Sequence, residues 1–299
     1  RIRAGFAERG AAALGGETRL VILRAREDET EATADIELRK TVRVSTRGVR
    51  HEEERVERER VTLRAAPDGT WSVVRAAPLL LEGGGPEPVP HALEAVPAGV
   101  RTDGRLRAGP YLNELALAGA PGRAAARTRA GLRYDREAAR EYADRHWNEP
   151  NPQFIHFAVD CTNYVSQCLY AGGAPMNYTG RRESGWWYRG KTAGREEWSY
   201  SWAVAHALQW YLAGRRPSGL AAERAASPEE LTVGDVICYD FDGDGKFEHT
   251  AIVTGADGAG MPLVNAHTVN SRRRYWDYRD SPAWTERTAY RFFRIRDEF

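Results

Sequence analysis

An α+β domain preceded by a smaller β-rich one is the fold this sequence predicts, and three observations predict it. Charged and aliphatic residues alternate through much of residues 18–78. From Tyr134 onward, segments of helical period come before segments of strand period. Eight of the nine tryptophans lie at or beyond Trp147. A period of two is the mark of a sheet with one wet face. Helices followed by a short antiparallel sheet make an α+β arrangement. The late aromatics give the second half a dense core or an aromatic-walled groove of its own.

In chain order, the first strands are read in TRLVILRA, TEATADIELRKTVRVST, HEEERVERERVTLRAA and WSVVRAAP, with a PDG turn signal before the last. They form an accessory domain over residues 1–82, which holds no cysteine and little that could do chemistry, so its expected role is packing or targeting. Residues 83–130 shift to Gly, Pro and Ala, as in EGGGPEPVP and GAPGRAAAR, and read as a linker with one short helix near Tyr111 to Leu117. Residues 131–299 form the main domain. It opens with helices in YDREAAREYADRHW, from Cys161, and in SWAVAHALQWYLAG. Strands follow in DVICYDF, HTAIVTG, PLVNAHT and AYRFFRI, with a hairpin through ADGAGM.

Composition narrows the function classes. The chain has 299 residues and a formal charge of +1, which gives no general pull toward nucleic acid or an anionic membrane. Its apolar runs are too short to span a bilayer. No signal-peptide core is visible in RIRAGFAERG, and the missing initial Met reads as a processed or trimmed form, which leaves secretion open. The three cysteines, at 161, 168 and 238, show neither a CxxC pair nor metal-ligand spacing, so a disulfide framework is not expected.

The stretch DCTNYVSQCLYAGG carries the chemistry. If a helix begins at Cys161, Asp160 is its N-cap, and Val165, Cys168 and Leu169 form an apolar face. Cys161 then lies in the first turn, where the helix dipole favours a thiolate. Cys168 and Cys238 sit in apolar runs and read as structural. A cysteine nucleophile needs a base, and the base an orienting partner. His249 opens the strand HTAIVTG and can serve as the base; Asn265 and His267 share a face of the next strand, and either can orient it.

The blocks DCTNYVSQCLYAGG, MNYTG, WWY, SWAVAHALQWYL, GDVICYDFDGDGKFEHTAIVT and NAHT resemble the putative amidase domain family of bacteria, related to CHAP and NlpC-type cell-wall hydrolases. The resemblance covers Tyr134 to Arg296. It implies a papain-like fold, Cys161 as nucleophile and His249 as base. For the third member, the NlpC-type pattern points to His267 and the papain-like pattern to Asn265. The implied reaction is hydrolysis of peptide or amide bonds of bacterial peptidoglycan through a thioester, by a secreted or cell-wall-associated protein. A non-catalytic cell-wall binding or coat protein that keeps the hydrolase fold is the alternative.

Other features have competing readings. In DFDGDGKFE, Asp240, Asp242 and Asp244 precede Gly245 like the first half of a calcium loop, but Ala251 holds the twelfth position where a bidentate Glu is required. A carboxylate-capped turn is the favoured reading, weak calcium binding the other; no other cofactor is expected. Trp186, Trp187 and Tyr188 can wall a substrate groove or cover the core. Trp202 and Trp210 fall at helical spacing and read as core, and the run Arg272, Arg273, Arg274 reads as solvated.

Overall fold

The computed structural model describes residues 2–83, 132–192, 195–215 and 219–299. The segment read as a linker, including its short helix, falls on residues 84–131 apart from its first position and lies outside the described residues.

A short helix α1 (Ile2–Glu8) leads into four strands, β1 (Ala11–Glu27), β2 (Glu31–Thr46), β3 (Val49–Ala65) and β4 (Trp71–Pro78). Then come α2 (Arg136–His146), α3 (Cys161–Ala171), the small hairpin β5 (Tyr188–Thr192) and β6 (Arg195–Trp198), α4 (Tyr200–Ala203) and α5 (Ala205–Ala213). The chain closes with β7 (Ala222–Ala225), β8 (Val236–Asp240), β9 (His249–Ala256), β10 (Pro262–Ala266), β11 (Ser271–Tyr275) and β12 (Ala289–Ile295). The helix expected over SWAVAHALQWYLAG is split, because Val204 adopts extended backbone between α4 and α5. Among the described residues, no helix is long and apolar enough to cross a membrane.

The expectation of a papain-like α+β domain is corrected by the sheet. The described residues are mostly antiparallel strand, and ten strands form one sheet in the order β1-β2-β3-β11-β10-β9-β8-β12-β7, with β4 also on β3. Two edges explain why the sheet runs through both halves of the chain. The outer edge of β11 presents unpaired backbone groups, and such an edge is stable only when covered or paired. β3 has 17 residues, of which β4 uses Glu59 to Ala65, so the remainder is free to pair elsewhere. Glu54 and Arg55 pair with Arg272 and Ser271, and the Val56 N–H donates to Asn270 O at 2.8 Å. Ion pairs Arg272–Glu54 (2.9 Å) and Arg55–Asp280 flank this seam.

β8 and β9 are covered on both faces. Val236, Cys238 and Ile252 point to the layer that holds α3, where they pack with Tyr164, Val165, Leu169, Trp186 and Trp202. Ile237, Tyr239, Ala251 and Val253 point the other way, onto Val264 and Tyr278. A strand buried on both faces reads as continuously apolar, so its sequence carries no label for which residue faces which layer.

Candidate active site

Helix α3 starts where expected, with Asp160 at the N-cap, but its carboxylate makes no cap hydrogen bond. Oδ1 accepts instead from the Phe157 N–H (3.0 Å) and from Asn163 Nδ2 (2.8 Å). Oδ2 lies 2.8 Å from His267 Nδ1 and 3.2 Å from His156 Nδ1. The His156 contact is within ion-pair reach but off the line a hydrogen bond requires, and that nitrogen has no other partner. Burial opposes the charge on Asp160, and the two imidazoles overcome it and hold the carboxyl down at about 2.

Cys161 occupies the first turn of α3 and is buried. Its thiol points to Glu248 O at 3.8 Å, and Thr162 Oγ1 lies 3.6 Å away. Thr162 Oγ1 also meets Thr250 Oγ1 at 3.0 Å, which fixes Thr250 on the α3 side of β9. Burial pushes the Cys161 thiol up, as it does those of Cys168 and Cys238, which are buried as read from the sequence.

His249 precedes Thr250 and therefore faces the opposite layer, with Ala251 and Val253. Its ring lies among Tyr239, Phe241 and Tyr278, at centroid distances of 5.4, 6.0 and 5.2 Å. Neither ring nitrogen has a hydrogen-bond partner, so no bond joins His249 to Cys161. Burial pushes its imidazole down to about 3, partly offset by the nearby charge of Glu82. The two residues read as its orienters are committed elsewhere. Asn265 accepts from Thr254 Oγ1 and the Arg273 N–H, both at 2.8 Å, and donates to Asp144 at 3.1 Å. His267 holds Asp160 through Nδ1 and the main-chain carbonyl of His146 through Nε2 at 2.7 Å, while its ring stacks on Tyr164 at 4.0 Å.

The aromatic groove reading is corrected by burial. Trp186, Trp187 and Tyr188 are at most 2% exposed, and Trp186 Nε1 donates to Ser166 Oγ in the core. Trp202 is core as expected, whereas Trp210 is 62% exposed on the outer side of α5. Arg272 is ion-paired to Asp144 and Glu54 rather than solvated. Arg274 is fully buried, bound to Glu82 and Asp280 and stacked over Tyr278 at 3.8 Å.

In the acidic turn, Asp240 accepts the backbone N–H groups of Gly243 (2.7 Å), Asp244 (3.2 Å) and Gly245 (2.9 Å), which is the capped-turn arrangement. Glu248, nine positions into this run, joins the three aspartates; burial and the charges of Asp240 and Asp242 push its carboxyl up to about 7. Sequence reasoning looked for a carboxylate at the twelfth position and so missed it. It also missed His156, for which the only signal is its position four residues before Asp160, and Glu82, whose partners lie far along the chain.

The fold and the site define an antiparallel sheet protein with a thiol in the first turn of a helix and two histidines on the carboxylate that precedes it. Residues 133–293 match the family described as Putative amidase domain, more than half of the chain, and the chain belongs to that family. The family's description points to amide hydrolysis. The uncharacterized protein YhbB of Bacillus subtilis is 52% identical over 167 residues, covering 56% of this chain and 52% of its own. The uncharacterized protein YjcM of the same organism is 29% identical over 150 residues, covering 46% of this chain and 31% of its own. The chain thus spans about half or less of the length of these relatives. No solved structure matches.

Proposed function

We propose that this protein hydrolyses amide bonds with Cys161 as nucleophile and His249 as base. The observation that carries the reading is the thiol's position: Cys161 heads α3, and its sulfur lies 3.8 Å from the carbonyl of Glu248, the residue next to His249. Family membership supplies the amide. In the reaction, His249 takes the thiol proton and the thiolate adds to the amide carbonyl. The tetrahedral adduct expels the amine, which receives that proton, and water then cleaves the thioester to release a carboxylate. The Cys161 N–H at the helix start is available to the oxyanion.

This requires the His249 ring to leave the aromatic layer where it lies. Nothing there holds it by a hydrogen bond, and an unpartnered buried polar group costs about 1–3 kcal/mol. Catalytic hydrogen bonds are often long or poorly aligned in a ligand-free protein and tighten only in the substrate complex. The narrower substrate reading, peptide amides of the bacterial cell wall and a protein exported to reach them, rests on the resemblance of the motif blocks alone.

A second reading is favoured by one observation: the thiol is buried and has no base in hydrogen-bond reach, as suits a binding protein that has lost catalysis. Alkylation by iodoacetamide at neutral pH separates the two. Labelling of Cys161 well ahead of Cys168 and Cys238 supports the nucleophile; equally slow labelling of all three favours the binding protein.

A further inference from the structure

His267 sits just beyond β10, beside the start of α3, with an oxygen against each ring nitrogen. Nε2 is 2.7 Å from the main-chain oxygen of His146, which only accepts, so Nε2 carries a hydrogen. Nδ1 lies 2.8 Å from the carboxylate oxygen Oδ2 of Asp160. His156 approaches the same oxygen with its own Nδ1, at 3.2 Å and off the hydrogen-bonding line. The carboxylate cannot turn away, because Oδ1 is bound by the Phe157 N–H and the Asn163 amide. The contact with His267 leaves the His156 nitrogen without a hydrogen-bond partner. A metal ion asks for convergent lone pairs instead of linear hydrogens, and it would satisfy both.

We propose that His156 Nδ1, Asp160 Oδ2 and His267 Nδ1 form a binding site for a divalent transition-metal ion of the zinc class. The three atoms lie within 4.8 Å of one another. Two imidazoles and one carboxylate suit zinc, whose bonds to such ligands run about 2.0–2.2 Å. The supporting shell is of the kind that orients metal ligands: His267 donates its far N–H to a backbone carbonyl, and Asp160 is held on its second oxygen. Asn163, which holds that oxygen, is itself fixed by the Ile155 carbonyl (2.8 Å) and the Trp202 indole N–H (2.9 Å). His156 is the half-exposed member, at 37%, so a coordination position left by three protein ligands opens toward solvent on its side. The thiol is not one of its ligands, since Cys161 directs its sulfur to Glu248.

Zinc titration of the chelator-stripped full chain tests the site, with calorimetry for affinity and thermal melting as a second readout. The half-exposed His156 is the residue to replace, because His156→Ala leaves the core intact. The parent should bind zinc and melt higher in its presence by mass action. His156→Ala should weaken binding by about 100-fold or more. Asp242→Asn, in the separate acidic turn, should bind like the parent. No zinc binding by the parent overturns the proposal, as does parental affinity in His156→Ala or loss of binding in Asp242→Asn.

Discussion

Two buried histidines lie in the same half of this protein and are held in opposite ways. At the corner beside α3, His267 has a partner on each ring nitrogen and a tyrosine face beneath it. Across the sheet, His249 has aromatic neighbours and no partner on either nitrogen. Buried polar groups are nearly always satisfied, so the exception calls for a reason other than stability. The His267 corner is built to hold a geometry. The His249 pocket holds an imidazole at a cost, beside the backbone of the residue that meets the thiol.

The largest expected effect that would sharpen this contrast lies in the walls of the His249 pocket. Glu82 and Arg274 are buried together there, with Ser281 Oγ donating to Glu82 at 2.6 Å and Asp280 on the other side of the guanidinium. Arg274→Met leaves Glu82 buried without its counter-charge, and breaking such a pair costs about 3–5 kcal/mol. Urea unfolding measures it. A loss below about 1 kcal/mol, the range of an exposed pair, would mean that water reaches the pocket.

Strands β1–β4, β8–β10 and β12, α3 and the β9–β10 hairpin were legible in the sequence, because alternation, the Asp-Cys helix start and the ADGAGM turn are local signals, whereas β5, β6, β7 and β11 were not read as strands. The pairing of β3 with β11 was not, since it joins residues more than 200 positions apart and leaves no local trace. Nor was the facing of His249. HTAIVT alternates His249, Ala251, Val253 against Thr250, Ile252, Thr254, and with both faces buried either set could have met α3; the Thr162–Thr250 contact decides it. The carboxylate of Asp160 was assigned to the helix cap because the partners that draw it away, His156 and His267, become neighbours only in the fold. Of the two readings of WWY, groove wall or core cover, burial of all three rings fits the second.

A smaller effect tests the His249 pocket itself. His249→Phe replaces two unpaired nitrogens with a ring that suits Tyr239, Phe241 and Tyr278, and it should raise stability by about 1–2 kcal/mol while abolishing hydrolysis. Destabilisation would show that the imidazole is bonded after all, and retained hydrolysis would remove it as the base.

The smallest effect is a slope. Folded His249 is held down at about 3 against an ordinary value of 6.5. Between those values the unfolded chain binds a proton that the folded chain does not, so stability rises with pH across the window and falls as the solution is acidified. Urea midpoints from pH 6.5 down toward 4 should fall more steeply for the parent than for His249→Phe. Equal slopes would place the ring in water or against an acceptor, and the contrast with His267 would be lost.

The central claim is that Cys161 performs amide hydrolysis. Purified peptidoglycan incubated with the parent and with Cys161→Ala, followed by mass analysis of the released fragments, tests it most directly. Alanine at a thiol-sized site keeps the fold to within about 1–2 kcal/mol, which thermal melting verifies on the same samples. The account predicts new amine and carboxylate ends with the parent and none with the folded Cys161→Ala protein. Release at the parental rate by Cys161→Ala would contradict it.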